Sequence, residues 1–157
     1  MMTTQKILVR RYVRRYPKTP KKTIEGAFRQ LRRLKADKNL KDACWVQATE
    51  EDSQVMENSR LGFRRNACSV INLEPRDVKD EVGAATTIFH ESLHARDIAK
   101  GGEKAITKGN EVNAHKETIA FLKDWQKKES RPKALRGIQR ELGEEKRAIE
   151  YLRSEND

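Results

Sequence analysis

The chain has 157 residues, of which 37% are charged and 36% hydrophobic, and its formal net charge is +10. This length suits one domain with a modest core, and the high charge implies a largely polar surface. No apolar run is long enough for a transmembrane helix, and the first residues lack the apolar stretch of a signal peptide. We therefore expect a single domain in the cytoplasm, or one delivered into a host or target cell without a classical signal peptide.

The positive charge is concentrated in the first quarter of the chain. Residues 1–41 contain 14 Lys and Arg against 2 Asp and Glu, a net charge of +12, so the remainder has a net charge of −2 (10 − 12). Within residues 1–20, the basic arm, arginine pairs alternate with tyrosines; these residues are Arg10, Arg11, Tyr12, Arg14, Arg15 and Tyr16. Such side chains suit phosphate contact and base stacking, so the four arginines are candidates for binding nucleic acid. A solvated basic face without a ligand is the other interpretation.

One helix and three strands are predicted between the arm and the central part of the chain. The helix runs from Lys21 to Lys35, and an apolar stripe docks it on the core; the stripe consists of Ile24, Phe28, Leu31 and Leu34. Three segments have strand composition: residues 43–48, 61–66 and 67–73. We expect these segments to form a small sheet.

The most specific pattern in the chain is His-Glu-Ser-Leu-His at residues 90–94, an H-E-x-x-H motif. It lies on a predicted helix that begins near Asp80, ends at the glycines 101–102, and is almost entirely small or apolar in its first half. A helix apolar on most faces belongs in the core. Positions i and i+4 share a helix face, so both imidazoles can bind one zinc ion while Glu91 acts as a general base.

Zinc at a catalytic site has three protein ligands and an open position for water, so one more ligand is needed. A helix predicted from Thr107 to Lys128 places Glu111 and His115 on one face, at positions i and i+4. In one interpretation Glu111 completes the site with His90 and His94, and His115 donates a proton or stabilises the oxyanion. In the other, His115 is the ligand and Glu111 is its hydrogen-bond partner.

The last segment, residues 131–157, is a helical stretch after Pro132 with a broken apolar stripe, and we assign it no chemistry. The chain is thus predicted to be one domain with three parts. Residues 1–20 form the basic arm, residues 21–128 the catalytic core and residues 131–157 a C-terminal helix.

The motif at residues 90–94, followed by Glu-Val-Asn-Ala at residues 111–114, resembles zincin metallopeptidases of the gluzincin type. It is also similar to small metallopeptidase domains of bacterial effectors and phages, over about residues 67–128. The resemblance implies an α+β fold in which a small, mostly antiparallel sheet packs on the active-site helix, with an N-terminal basic helix and C-terminal helices. It also implies that the strand before that helix pairs with extended substrate, and the candidate substrate-binding residues are Val70, Ile71 and Asn72.

The expected function is a zinc metalloendopeptidase with one Zn²⁺ ion, selective for a particular protein or peptide substrate. Glu91 takes a proton from the attacking water and returns it to the leaving amine. Candidates for stabilising the oxyanion are His115, Arg96, Tyr12, Tyr16 and Tyr151. The alternative is a basic protein that binds nucleic acid or a protein partner on a zincin scaffold, with a structural metal or none. The sequence leaves the oligomeric state open.

Overall fold

The computed structural model describes residues 21–48, 69–73, 79–105 and 107–154. Four helices make up most of this part of the chain: α1 (Lys21–Arg33), α2 (Glu81–Gly101), α3 (Lys108–Lys128) and α4 (Pro132–Ser154). Short 3₁₀ helices cover Lys38–Asp42 and Gly102–Ala105, and two strands are present, β1 (Ala43–Ala48) and β2 (Ser69–Leu73). None of the described helices combines the length and hydrophobicity that crossing a bilayer requires.

The expected α+β zincin-like fold is wrong. The described residues are mainly helical, and β1 and β2 pair in parallel, with Trp45 opposite Val70 and Gln47 opposite Asn72. The described ranges therefore contain no antiparallel sheet of the kind that the zincin resemblance implied. Parallel pairing needs a connection of roughly a dozen residues or more, and residues 49–68 are long enough to provide one. Strand composition identifies an extended segment but not the direction of its partner. The strand predicted at residues 61–66 and the basic arm lie outside the described residues.

Helix α2 is the central element of the fold. It packs against α1, α3, α4 and both strands. Its first half is buried, as the apolar composition predicted: Val82, Ala84, Ala85 and Ile88 are at most 2% exposed. The predicted end of the helix is also confirmed, because Gly102 follows with a φ of 67°, a left-handed conformation that glycine adopts without strain.

The other helices cover α2 with their apolar faces. The predicted stripe of α1 is confirmed, and its four residues, Ile24, Phe28, Leu31 and Leu34, are all buried. Helix α4 approaches α2 closely at Gly137, where an added Cβ would lie 3.1 Å from the Cβ of Val82. A larger residue at position 137 would push α4 away from α2, so this glycine sets the distance between the two helices.

Asp80 begins α2 and ties it to α4. Its Oδ1 accepts a hydrogen bond from the backbone N–H of Gly83 at 2.8 Å, and Arg140 donates one hydrogen bond to each carboxylate oxygen at 2.9 Å. The hydrogen bond from Arg140 is the main reason that the pKa of Asp80 is lowered, although burial acts in the opposite direction. Because the folded-state pKa is the lower one, this stabilisation is complete above the unfolded-state pKa of about 4. It is lost as the pH falls through the folded-state value.

Replacing Asp80 with alanine is expected to lower the free energy of unfolding by about 1–2 kcal/mol at pH 7, since the helix loses its N-cap. Urea unfolding at pH 7 and at pH 3 would measure the difference from the parent chain, which should be smaller at pH 3. The control is Asp124→Ala, which removes an exposed i, i+4 pair with Lys128 and should cost less than about 0.5 kcal/mol. An equal loss at both pH values would contradict the role of the carboxylate charge.

Candidate metal centre

Three helices bring five histidine and glutamate side chains into one cluster. Helix α2 contributes His90 and His94, α3 contributes Glu111 and His115, and α4 contributes Glu145. Within α2 and α3 the paired residues are four positions apart, so each pair lies on one helix face. The side chains of the three histidines are 12%, 17% and 13% exposed, and that of Glu145 is 11% exposed, whereas that of Glu111 is 37% exposed.

His90, His94 and Glu111 form a group that could hold a metal ion. The two Nε2 atoms of the histidines are 3.1 Å apart, and the carboxylate oxygens of Glu111 lie 3.2 Å from Nε2 of His90 and 2.9 Å from Nε2 of His94. A tetrahedral zinc ion with bonds of about 2.0–2.1 Å holds neighbouring ligand atoms roughly 3.3 Å apart. The two nitrogens thus have nearly the spacing of ligand atoms around one ion, each has a different carboxylate oxygen of Glu111 at a similar distance, and all are atom types that bind zinc.

His115 and Glu145 extend the cluster on the other side of the imidazole rings. Nε2 of His115 lies 3.2 Å from Oε1 of Glu111, and its Nδ1 lies 2.9 Å from Oε2 of Glu145. Nδ1 of His90 is 3.7 Å from Oε1 of Glu145. This Nδ1 atom of His90 is buried, and no group in the described residues hydrogen-bonds to it. His90, His115 and Glu145 are a second group with a spacing that could hold a metal ion.

The charges of the two glutamates make the cluster attractive to cations. Hydrogen bonds from His115, and then from His90 and His94, hold the pKa of Glu111 far below its usual range. Burial lowers the pKa of His115, but the bonds to Glu111 and Glu145 outweigh burial and raise it to about 9. Burial also lowers the pKa of His94, but the bond to Glu111 and the negative charges of Glu91, Glu111 and Asp97 together outweigh burial and raise it. Without a metal ion, protons on the histidines thus balance the negative charge of the carboxylates. A cation that binds to the cluster would displace these protons.

Open space and packed aromatic rings flank the cluster. A cavity of about 310 Å³ is bounded by His90 and His115 and also by Thr87 of α2 and Glu144 of α4. The rings of Phe89 and Phe121 stack with their centres 4.4 Å apart and join α2 to α3. This contact holds together the two helices that carry the histidines.

Several predicted site residues lie elsewhere. Arg96 donates hydrogen bonds to both carboxylate oxygens of Glu117 and to Asp97, so its guanidinium is engaged in ion pairs. Tyr151 is 66% exposed on α4. Residues 70–72 pair with β1 through their backbone, and their role in binding substrate stays a prediction. Outside the described residues are Tyr12, Tyr16 and the four arginines Arg10, Arg11, Arg14 and Arg15.

Glu145 is the cluster residue that sequence reasoning missed. A signal for it exists in the spacing of α4, where positions 138, 142, 145 and 149 follow one helix face. Three of these positions are occupied by the buried residues Ile138, Leu142 and Ile149, and the fourth is the glutamate. A carboxylate in an apolar stripe needs a partner, and here the partner is His115.

The described residues thus form a helical protein with a cluster of histidines and glutamates that could bind a metal ion. No protein-family model, curated protein or solved structure matches the chain. The resemblance to zincins accordingly depends on the motif at residues 90–94 and the glutamate that follows it.

Proposed function

We propose that the protein is a zinc-dependent metallopeptidase in which His90, His94 and Glu111 hold the ion and Glu91 is the general base. The observation that supports this proposal is the close approach of the ligand groups at an H-E-x-x-H helix: the two Nε2 atoms are 3.1 Å apart, and each has a carboxylate oxygen of Glu111 within 3.2 Å. A zincin sheet is not required for such chemistry, since function depends on the site and not on the surrounding fold.

Glu91 is the proposed proton carrier. It lies between the two histidines on α2, it is half-buried, and its negative charge contributes to the raised pKa of His94. When bound, zinc would supply a water of lowered pKa and a Lewis acid for the scissile carbonyl. The Glu91 carboxylate accepts the proton of the attacking water and returns it to the leaving amine.

His115 is the candidate for stabilising negative charge on the substrate oxygen. Its Nδ1 is held by Glu145, and its Nε2 faces Glu111. With Nε2 protonated, the ring would donate a hydrogen bond to an oxyanion beside the ion. This assignment leaves one coordination position open for chemistry, as catalytic zinc sites require.

One observation favours a different function. Nε2 of His115 is as close to Glu111 as Nε2 of His90 is, 3.2 Å in both cases, so His115 could be a fourth ligand. Four protein ligands close the coordination sphere and make zinc structural. The protein would then be a binding protein, and the basic arm would be the candidate region for contacting nucleic acid or a protein partner.

Glu91→Gln distinguishes the two functions. In the metallopeptidase, the variant should bind one zinc per chain like the parent, but hydrolysis of a mixed fluorogenic peptide library should be at least about a hundredfold slower, because the general base is lost. Zinc content is measured by elemental analysis and hydrolysis by fluorescence. The matched control is Glu150→Gln on the exposed face of α4, which should change neither. Hydrolysis that survives in Glu91→Gln would refute the mechanism, and a zinc-loaded parent chain that cleaves no peptide would support the structural metal.

A further inference from the structure

Glu145 faces the two histidines from the side opposite Glu111. Its Oε2 is 2.9 Å from Nδ1 of His115, and its Oε1 is 3.7 Å from Nδ1 of His90. The rings of His90 and His115 lie side by side with their centres 4.6 Å apart. Each ring therefore has Nε2 on the side of Glu111 and Nδ1 on the side of Glu145.

The protons of imidazole determine what Glu145 can do there. A neutral imidazole has one lone pair and one N–H, so a ring that binds metal through Nε2 carries its proton on Nδ1. A buried N–H without an acceptor is destabilising, by about 1–3 kcal/mol. With Nε2 on the metal ion, Nδ1 of His90 would be such a group: it is buried without a hydrogen-bond partner among the described residues, and Oε1 of Glu145 is only a few tenths of an ångström beyond hydrogen-bonding distance.

We propose that Glu145 is a positioning residue that accepts hydrogen bonds from the Nδ1–H groups of both His90 and His115, one on each carboxylate oxygen. It thereby fixes the ring of His90 with Nε2 directed toward the metal ion, strengthens that nitrogen as a metal ligand, and holds the ring of His115 beside the ion. The inference rests on the metal site of the proposed function, but it does not depend on the hydrolytic step.

A second metal ion is the competing explanation, because His90, His115 and Glu145 also have a spacing that could hold one. With an ion already on Nε2 of His90, however, a second ion on Nδ1 would require that ring to lose its remaining proton. Neutral imidazole is the ordinary metal-binding form of histidine. One ion with Glu145 as the hydrogen-bond acceptor requires no such deprotonation.

The test compares zinc affinity, measured by competition with a chromophoric chelator, among the parent chain, Glu145→Ala and Glu145→Gln. Loss of a carboxylate that orients metal-binding histidines weakens metal binding by about 10–100-fold, and we expect Glu145→Ala to fall in this range with one zinc per chain retained. Glu145→Gln should lose less, since its amide oxygen can still accept one of the two hydrogen bonds. The control is Glu150→Ala, an exposed residue on the same helix, which should bind zinc like the parent.

Cobalt substitution adds a readout that a purely structural role would not change. The visible absorption bands of the Co²⁺-loaded chain should shift in Glu145→Gln, because the ring orientations change, and stay unshifted in Glu150→Ala. Circular dichroism verifies folding, and the near-isosteric Gln variant maintains the test if the Ala variant does not fold.

Zinc affinity within threefold of the parent in both variants would overturn the proposal. So would two zinc ions per parent chain that become one in Glu145→Gln. Neither outcome depends on Glu91. A failure of the proposed hydrolysis would be detected in the separate peptide-cleavage experiment with Glu91→Gln.

Discussion

Zinc affinity is expected to fall by about two to three orders of magnitude when His94 is replaced by alanine. Structural zinc sites with four ligands bind with about 10–16 kcal/mol, which corresponds to about 2.5–4 kcal/mol for each ligand. Nε2 of His94 is 3.1 Å from Nε2 of His90 and 2.9 Å from Oε2 of Glu111, so it is close to both other members of the group. Alanine removes the imidazole of His94, so only two ligands of the group, His90 and Glu111, are left.

Chelator competition and elemental analysis measure this loss. The matched control is Ser92→Ala, which alters a buried residue inside the same motif. The hydroxyl of Ser92 donates to the carbonyl oxygen of Phe89 within α2, so its removal should leave zinc affinity within about threefold of the parent. Undiminished zinc binding by His94→Ala would show that the ion binds elsewhere, and an equal loss in Ser92→Ala would attribute the effect to the helix and not to the ligand.

Replacing Trp125 with alanine is expected to lower the free energy of unfolding by about 3–5 kcal/mol. The side chain is fully buried, its ring centre lies 5.7 Å from that of Phe121, and its Nε1 donates to Oε1 of Glu129 at 3.0 Å. Alanine would leave a large cavity between α3 and its neighbours and remove the hydrogen bond. Since domains of this kind are stable by about 5–15 kcal/mol in total, the variant should be close to unfolding at 37 °C.

Urea unfolding followed by circular dichroism measures this effect without using the fluorescence of the lost indole. Trp125→Phe keeps an aromatic ring and should lose clearly less stability than Trp125→Ala. Lys123→Ala, on the exposed side of the same helix, should change stability by less than about 0.5 kcal/mol. A loss below about 1 kcal/mol in Trp125→Ala would mean that α3 does not depend on this contact for its packing.

Local patterns correctly predicted the helices and the two pairs of cluster residues that lie one turn apart. The boundaries of α2 and α3 follow from Asp80, Gly102 and Thr107, because caps act on the nearest backbone groups. The spacing of four within each motif placed His90 with His94, and Glu111 with His115, since residues one turn apart share a face. That the two pairs meet was a hypothesis from the histidine content and the resemblance, and the structure brings them together.

The sheet shows where local pattern is insufficient. Residues 43–48 and 69–73 have strand composition and are strands, but their parallel pairing depends on how the chain returns through residues 49–68. No periodicity within a strand reports the direction of its neighbour. The expectation of an antiparallel sheet came from the resemblance to zincins, and it is wrong for the two described strands, which pair in parallel.

The elements with short-range causes follow from the residues alone: the apolar α2, its capping residues and the two pairs of candidate ligands at helical spacing. The packing of α4 on α2 at Gly137, which brings Glu145 to His90 and His115, depends on contacts between distant parts of the chain. The two kinds of feature differ in the sequence range of the interactions that form them. Hydrogen bonds within a helix turn join residues three or four apart, whereas the contact between His115 and Glu145 joins residues 30 apart and exists only after two helices have packed.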